Sequence, residues 1–229
     1  MFKRVFLLAT LAIPGTVSAQ FHAGRLPATN RDSFEVMIQG RPFGTYIMSH
    51  SRTGENFTLV TVGNLQGGMT LIDTVVFNAT TFAPVLFATS QAMAGMSAGG
   101  RITIANGKAM GTIQQAGPGG VQSMPVNAAV PTGAIADGAD ALLIPTIDFS
   151  EGLSLTFQTF DGKSGKTKNY TMKVVGKEQV TVPAGAFEAW KTELASDEPA
   201  VIWVTTSEPR KILMLRIESQ QLEMRRASK

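Results

Sequence analysis

From Ser33 onward, short runs of β-branched and aromatic residues are separated by turn residues at close intervals. That spacing predicts antiparallel strands rather than β-α-β units. Residues 34–38, 44–48, 57–62 and 70–77 are the first four predicted strands. Gly40-Arg-Pro42, Arg52-Thr-Gly54 and Gln66-Gly-Gly68 connect them, so a meander of hairpins is the simplest topology. The sharpest local signal is Asn106-Gly107 between Ile102-Thr-Ile104 and Lys108-Ala-Met110, because this pair supplies the two positive-φ positions of a type I′ turn. A second hairpin is predicted at Pro183-Ala184-Gly185. There proline pre-sets the first turn position and Gly185 takes the left-handed position of a three-residue loop flanked by Val182 and Ala186.

Three stretches break the pattern. Residues 116–134 are rich in Gly, Pro and Ala and nearly uncharged, which predicts a loop or linker. Residues 91–100 predict an irregular connection. Residues 137–143, with Asp at the start and Leu-Leu-Ile following, predict one or two turns of helix against a sheet. The expected fold is mainly β, an antiparallel meander forming a curved sheet or half-barrel with one short helix. The chain divides into a leader at 1–19, an N-terminal β-rich half at 20–115, the linker at 116–134, and a C-terminal half with the helix at 135–229.

Counting outward from the Pro-Ala-Gly turn puts Val174, Val180, Val182, Trp190 and Leu194 on one face, with Glu178 and Glu188 among them. If Thr206 opposes Lys211 in the next pair, Ile202, Val204, Leu213, Leu215 and Ile217 share a face. Val201, Trp203, Ile212, Met214 and Arg216 then share the other. A sheet apolar on both faces needs cover on both, from another protein layer or from a bound molecule. A concave face holding an apolar cavity meets that need; so does a helix or the other half of the chain, and packed cores are the commoner case. Glu178 and Arg216, charges on apolar faces, each need a partner, a path to solvent or a ligand. Trp203, diagonal to Arg216, stands within cation–π reach.

The N-terminus carries Lys3 and Arg4, an apolar run over 5–13, Pro14-Gly15, and Val17-Ser18-Ala19 before Gln20, the layout of a secretory leader cleaved after Ala19. That places the mature chain in the periplasm or outside the cell. The apolar run is shorter than the ~20 residues of a spanning helix, and no later run is longer, so no membrane span is expected in the mature chain. The chain has no cysteine. Disulfides, thiolate chemistry, Cys-bound metals and cysteine-linked lipid are therefore ruled out. The formal charge of +3 includes Lys3 and Arg4; without them 18 basic residues face 17 acidic ones, or +1. That balance argues against a nucleic-acid footprint, and Arg225, Arg226 and Lys229 read as a small solvated basic tail.

Catalytic chemistry has little to build on. His22 sits next to the expected cleavage site in a mobile segment, and His50 reads as a surface residue at a strand end, with no Gly-x-Ser-x-Gly elbow to complete a triad. Asp137, Asp140, Asp148 and Glu151 cluster in sequence and are the candidates for a carboxylate hydrolase or a calcium site, although helix capping and a solvated loop explain them too. Met93, Met96, Met110 and Met124 suit cuprous ion, but core filling is the ordinary use of methionine. No cofactor or metal is called for by these patterns.

Val175-Gly-Lys-Glu178-Gln-Val-Thr-Val-Pro183-Ala-Gly185-Ala-Phe187-Glu-Ala-Trp190-Lys, followed by Trp203-Val and Pro209-Arg with a closing β-run, resembles exported bacterial β proteins grouped as a domain of unknown function. The resemblance covers about residues 148–218. It implies a curved, half-barrel-like sheet of the kind found in the periplasmic carriers of lipoproteins, an envelope location, and an apolar ligand such as an acyl chain. It implies no catalytic residue. The leading expectation is therefore a non-catalytic protein that binds a lipid-like envelope molecule in a concave sheet, with Trp190, Trp203, Met214, Arg216 and Glu178 as the lining. A structural or interaction module that meets another envelope protein is the alternative, and a hydrolase on the 137–151 carboxylates the third.

Overall fold

Turn chemistry sets the strands in the order they are read. The computed structural model describes residues 20–93, 95–117 and 120–228, so the expected leader at 1–19 and Lys229 lie outside the described residues. Eight strands follow one another as hairpins: β1 (Thr29–Ile38), β2 (Arg41–Thr53), β3 (Asn56–Leu65), β4 (Met69–Asn78), β5 (Pro84–Met93), β6 (Met96–Ala105), β7 (Lys108–Gly117) and β8 (Gly120–Ala129). The β6–β7 turn is the predicted one, with Asn106 and Gly107 at φ 52° and 70° and Ala105 opposite Lys108. The chain then makes a two-residue strand β9 (Ile135–Ala136) and helix α1 (Asp140–Leu143), which runs into a 3₁₀ turn over Ile144–Thr146. A second meander follows: β10 (Ser154–Asp161), β11 (Lys166–Val182), β12 (Gly185–Ala195), β13 (Ala200–Thr205), β14 (Ile212–Ile217) and β15 (Leu222–Arg226).

The two meanders form one open sheet. β15 pairs antiparallel with β1, from Phe34 opposite Arg226 to Ile38 opposite Leu222, and the strand order runs from β8 through β1 and β15 to β9. All neighbours are antiparallel except β9 and β10. The sheet curls until β9 meets the opposite half. There the Ala136 N–H donates to the Phe82 carbonyl at 3.1 Å, and Phe87 of β5 lies 6.3 Å from Phe160 of β10. The main core lies on the inner face and includes Phe57, Leu59, Phe77, Phe87, Ile102, Phe157 and Phe160, with Leu143 and Ile144 of the helical segment packed onto it.

Several expectations are corrected. The supposed linker at 116–134 contains β8, paired with β7 along its length. Pro125 is tolerated there because β8 is an edge strand, where a missing N–H faces away from the ladder. The supposed irregular connection at 91–100 is the β5–β6 hairpin. Gly99 and Gly100 sit in β6 because the Thr89 and Thr112 carbonyls approach too closely for a side chain. Arg225 and Arg226 are not a solvated tail but belong to β15. Met96, Met110 and Met124 do not fill the core; they are exposed.

Both histidines are placed more firmly than their sequence context suggests. His22 is held rather than mobile, with its ring Nε2 3.0 Å from Asp148 Oδ2 and its backbone N–H donating to Thr146 Oγ1. His50 is buried, 5% exposed, with Nε2 3.0 Å from the Pro27 carbonyl and its ring edge-on to Phe57.

The C-terminal faces also differ from a simple alternation. Val182 pairs directly with Gly185, so the loop is the two residues Pro183-Ala184, with Gly185 at φ 132°. A bulge between Val174 and Gly176 shifts the register of β11 by one residue. One inserted residue exchanges the faces beyond it. Met172, before the bulge, therefore faces the main core while Val180 and Val182, beyond it, face the other way. A second shift between Trp203 and Val204 exchanges Ile212 and Leu213 in the same manner: Ile212 joins the main core, and Leu213 joins Trp203 on the outer face.

Candidate functional site

The inner face of the sheet is only partly filled by its own chain. Between α1 and strands β1 to β5, β14 and β15 lies a cavity of about 260 Å³. Its walls are Phe34, Met48, Leu59, Val75, Phe87, Ile212, Leu215 and Met224, with Ala141 of α1 as the roof. These side chains meet there because each strand alternates. In β4, for example, Asp73, Val75 and Phe77 are two residues apart and share the inner face. A second cavity of about 210 Å³ lies on the other side of the helical segment and shares Met48, Ala141 and Ile212 with the first.

One end of the larger cavity is polar. Tyr46, Thr61, Asp73, Asp137, Asp161 and Lys163 line it. The β10–β11 turn positions two of them: the Lys163 and Gly165 N–H groups donate to Asp161 Oδ1 and the Asp161 carbonyl at 2.8 and 2.9 Å, a side-chain-stabilised turn that brings Lys163 over β4. The Lys163 Nζ then donates to Asp73 Oδ2 at 2.8 Å. Asp137 follows β9, accepting from Thr159 Oγ1 at 2.9 Å and from Lys168 Nζ at 3.3 Å. Burial alone would lower the Lys168 ammonium, but Asp137 and Asp161 outweigh it and raise its pKa. Asp140, on the first turn of α1, accepts from the Gly138 N–H at 3.0 Å. Burial and the neighbouring Asp137 charge push its pKa up to about 6. Burial likewise raises the phenols of Tyr46 and Tyr170.

The residues expected to line a site lie elsewhere. Trp190 is on the inner face, stacked on Phe149 at 5.9 Å with the Lys177 ammonium 4.7 Å from its ring. Trp203, Met214, Arg216 and Glu178 are on the outer face. There the long β11–β12 hairpin folds across β13 and β14 until the Ala184 N–H donates to the Arg226 carbonyl. Val180, Val182, Ala189, Trp203, Leu213 and Met214 form a second small core beneath it. The outer face is thus covered by the chain itself. Trp203 is 3% exposed and its indole N–H donates to Glu178 Oε1 at 2.5 Å. Arg216 lies 5.3 Å from the Trp203 ring, the expected cation–π contact, and donates through Nε and Nη2 to Glu223 Oε2. Glu178 and Arg216 therefore both have protein partners. None of the five lines the cavity under α1; Arg216 borders a surface depression between β14, β15 and the β1–β2 turn.

Nor do the four clustered carboxylates converge. Asp148 is exposed, its pKa lowered by Arg25 and then by His22. Glu151 is exposed near Gly176. Of the four, only Asp137 lines the cavity, with Asp140 beside it. Among the described residues no group of three or more His, Asp or Glu side chains is arranged to hold a metal ion. No helix among them is long and apolar enough to cross a membrane.

The sequence carried one signal for this cavity: Asp73 stands in phase with Val75 and Phe77 inside an apolar strand, where a charge is costly. No curated protein and no solved structure matches the chain. A family model described as a protein of unknown function, DUF3108, matches residues 33–221, and the chain belongs to that family.

Proposed function

We propose that this protein is an exported, non-catalytic binder of an apolar or amphipathic envelope molecule, held in the cavity between α1 and the inner face of the sheet. The observation that carries the reading is the cavity itself: about 260 Å³ of apolar space with polar groups at one end. Pockets of this make-up are the usual form of small-molecule sites, which run from about 300 to 1,000 Å³. At roughly 30 Å³ per water-sized unit, this one has room for a single short chain rather than a two-chain lipid. The leader at 1–19 supports an envelope location.

Native mass spectrometry of protein purified from its own host, followed by organic extraction, tests the reading. A stoichiometric lipid-like adduct is the expected result. A clean mass that stays clean after lipid challenge overturns it in favour of an interaction module. For that second reading the supporting observation is the edge strand β8, which ends the sheet and carries exposed Val121 and Met124.

A further inference from the structure

The polar end of the cavity is chemically one-sided. Three of its lining residues are carboxylates, Asp73, Asp137 and Asp161, and Lys163 is the one lining ammonium. Beyond the lining, Lys168 and Asp140 add one further charge of each sign. An anionic head placed there meets an excess of negative charge in a site of low dielectric, where charge interactions are strong.

Asp73 is the most informative member. Its Oδ2 accepts from Lys163, while its Oδ1 is buried and has no hydrogen-bond partner among the described residues. A buried carboxylate oxygen left unsatisfied is costly, and native structures seldom keep one without a reason. It stands at the junction between the apolar walls formed by Leu59, Val75 and Phe87 and the polar end.

Resting on the cavity reading above, we propose that the ligand is a single-chain amphiphile whose head is a cationic amine. The chain occupies the apolar walls and the ammonium donates to Asp73 Oδ1. A free fatty acid of the same length is rejected by the same carboxylates. The charge and donor capacity of the head, not the apolar chain alone, set the specificity.

Isothermal titration of the purified protein with n-octylamine, 1-octanol and octanoate at neutral pH tests this, since the three share a chain length and differ in the head. The amine is expected to bind about tenfold or more tighter than the alcohol, the value of one charge-assisted hydrogen bond, with octanoate weakest. Asp73→Asn keeps the side-chain shape and is expected to remove most of the amine's advantage over 1-octanol. Octanoate binding as tightly as the amine overturns the proposal, as does an amine preference unaltered in Asp73→Asn.

The two readings fail differently. Equal binding of all three heads, abolished by filling the cavity with Leu59→Trp, overturns the amine head and keeps the cavity. No binding of any of them overturns both. Leu215→Phe fills the same space from the β14 wall and serves if Leu59→Trp does not fold, as judged by far-ultraviolet circular dichroism.

Discussion

Arg226 and Asp32 stand 194 residues apart in the sequence, and the Arg226 Nη1 donates to Asp32 Oδ1 at 2.6 Å. Their side chains are 11% and 12% exposed. The same guanidinium donates through Nε to the Ile212 carbonyl at 2.7 Å and lies 5.4 Å from the Phe34 ring. One residue of β15 thus contacts both neighbouring strands at the seam where the two meanders join. Its Nη2 is buried with no hydrogen-bond partner among the described residues, so desolvation of the charge is not fully compensated there. The pair serves the register of the seam more than it serves net stability.

Arg226→Ala leaves Asp32 as an unpaired charge at a buried position. A loss of about 3–5 kcal/mol is expected, the usual cost of breaking a buried pair from one side. Urea unfolding followed by circular dichroism measures it. The double variant Asp32→Leu/Arg226→Met is expected to recover much of the loss, because no orphaned charge remains. A double variant no more stable than Arg226→Ala would contradict this account.

Strands were legible wherever local chemistry decides, as at Asn106-Gly107, and obscure wherever a distant partner decides. The residues of β8 read as a loop because Gly120 and Pro125 are turn-formers; only pairing with β7 at an edge makes them a strand. Arg226 read as part of a solvated tail because nothing within a few positions reveals Asp32. Face assignments in β11 and β14 failed at single-residue bulges, which alternation cannot register. The same failure moved the expected site. Apolar character on both faces was read correctly, but the outer face is covered by the chain's own hairpin, and the unfilled space is under α1.

The outer core should be separable from the cavity. Trp203→Ala removes a fully packed ring and its bond to Glu178 and is expected to cost about 3–5 kcal/mol. Trp203→Phe retains most of the packing and is expected to cost about 1.5–3 kcal/mol, the value of a hydrogen bond to a charged group. Neither should change amphiphile affinity at temperatures where the protein is folded, since Trp203 faces away from the cavity. A changed affinity in Trp203→Phe would show that the two faces are coupled.

Curling of the sheet rests on a close approach at Gly162. A Cβ at this position would come within 2.1 Å of the Phe87 ring. Gly162→Ala is therefore expected to push the β10–β11 turn off β5 at a cost of about 1–3 kcal/mol, the range for overpacking. It also moves the neighbouring Lys163 away from Asp73. Gly162→Ala combined with Phe87→Leu, which trims the ring, is expected to recover part of the thermal midpoint lost by the single variant. No recovery would mean that the clash with Phe87 is not the cause.

Asp140 gives the fold a pH dependence whose sign follows from its raised pKa. Its carboxyl titrates at about 6 in the folded protein against an ordinary 3.8, because burial and Asp137 disfavour the charged form. Between those values the folded state binds more protons than the unfolded chain. This group's contribution to stability therefore falls as pH rises from about 4 to about 6, and stays reduced above that. The change is on the order of 3 kcal/mol at most. Asp148 acts in the opposite direction: Arg25 and His22 hold its pKa below the ordinary value, so its contribution is lost as pH falls. The whole-protein profile mixes the two, and the informative quantity is the difference between the protein and Asp140→Asn. The amide still accepts from the Gly138 N–H but carries no charge. Urea unfolding from pH 4 to pH 7.5 is expected to show the variant gaining on the original protein across pH 4 to 6, with a constant advantage above. A difference that is flat, or that grows toward low pH, would show that Asp140 is charged in the folded state throughout that range.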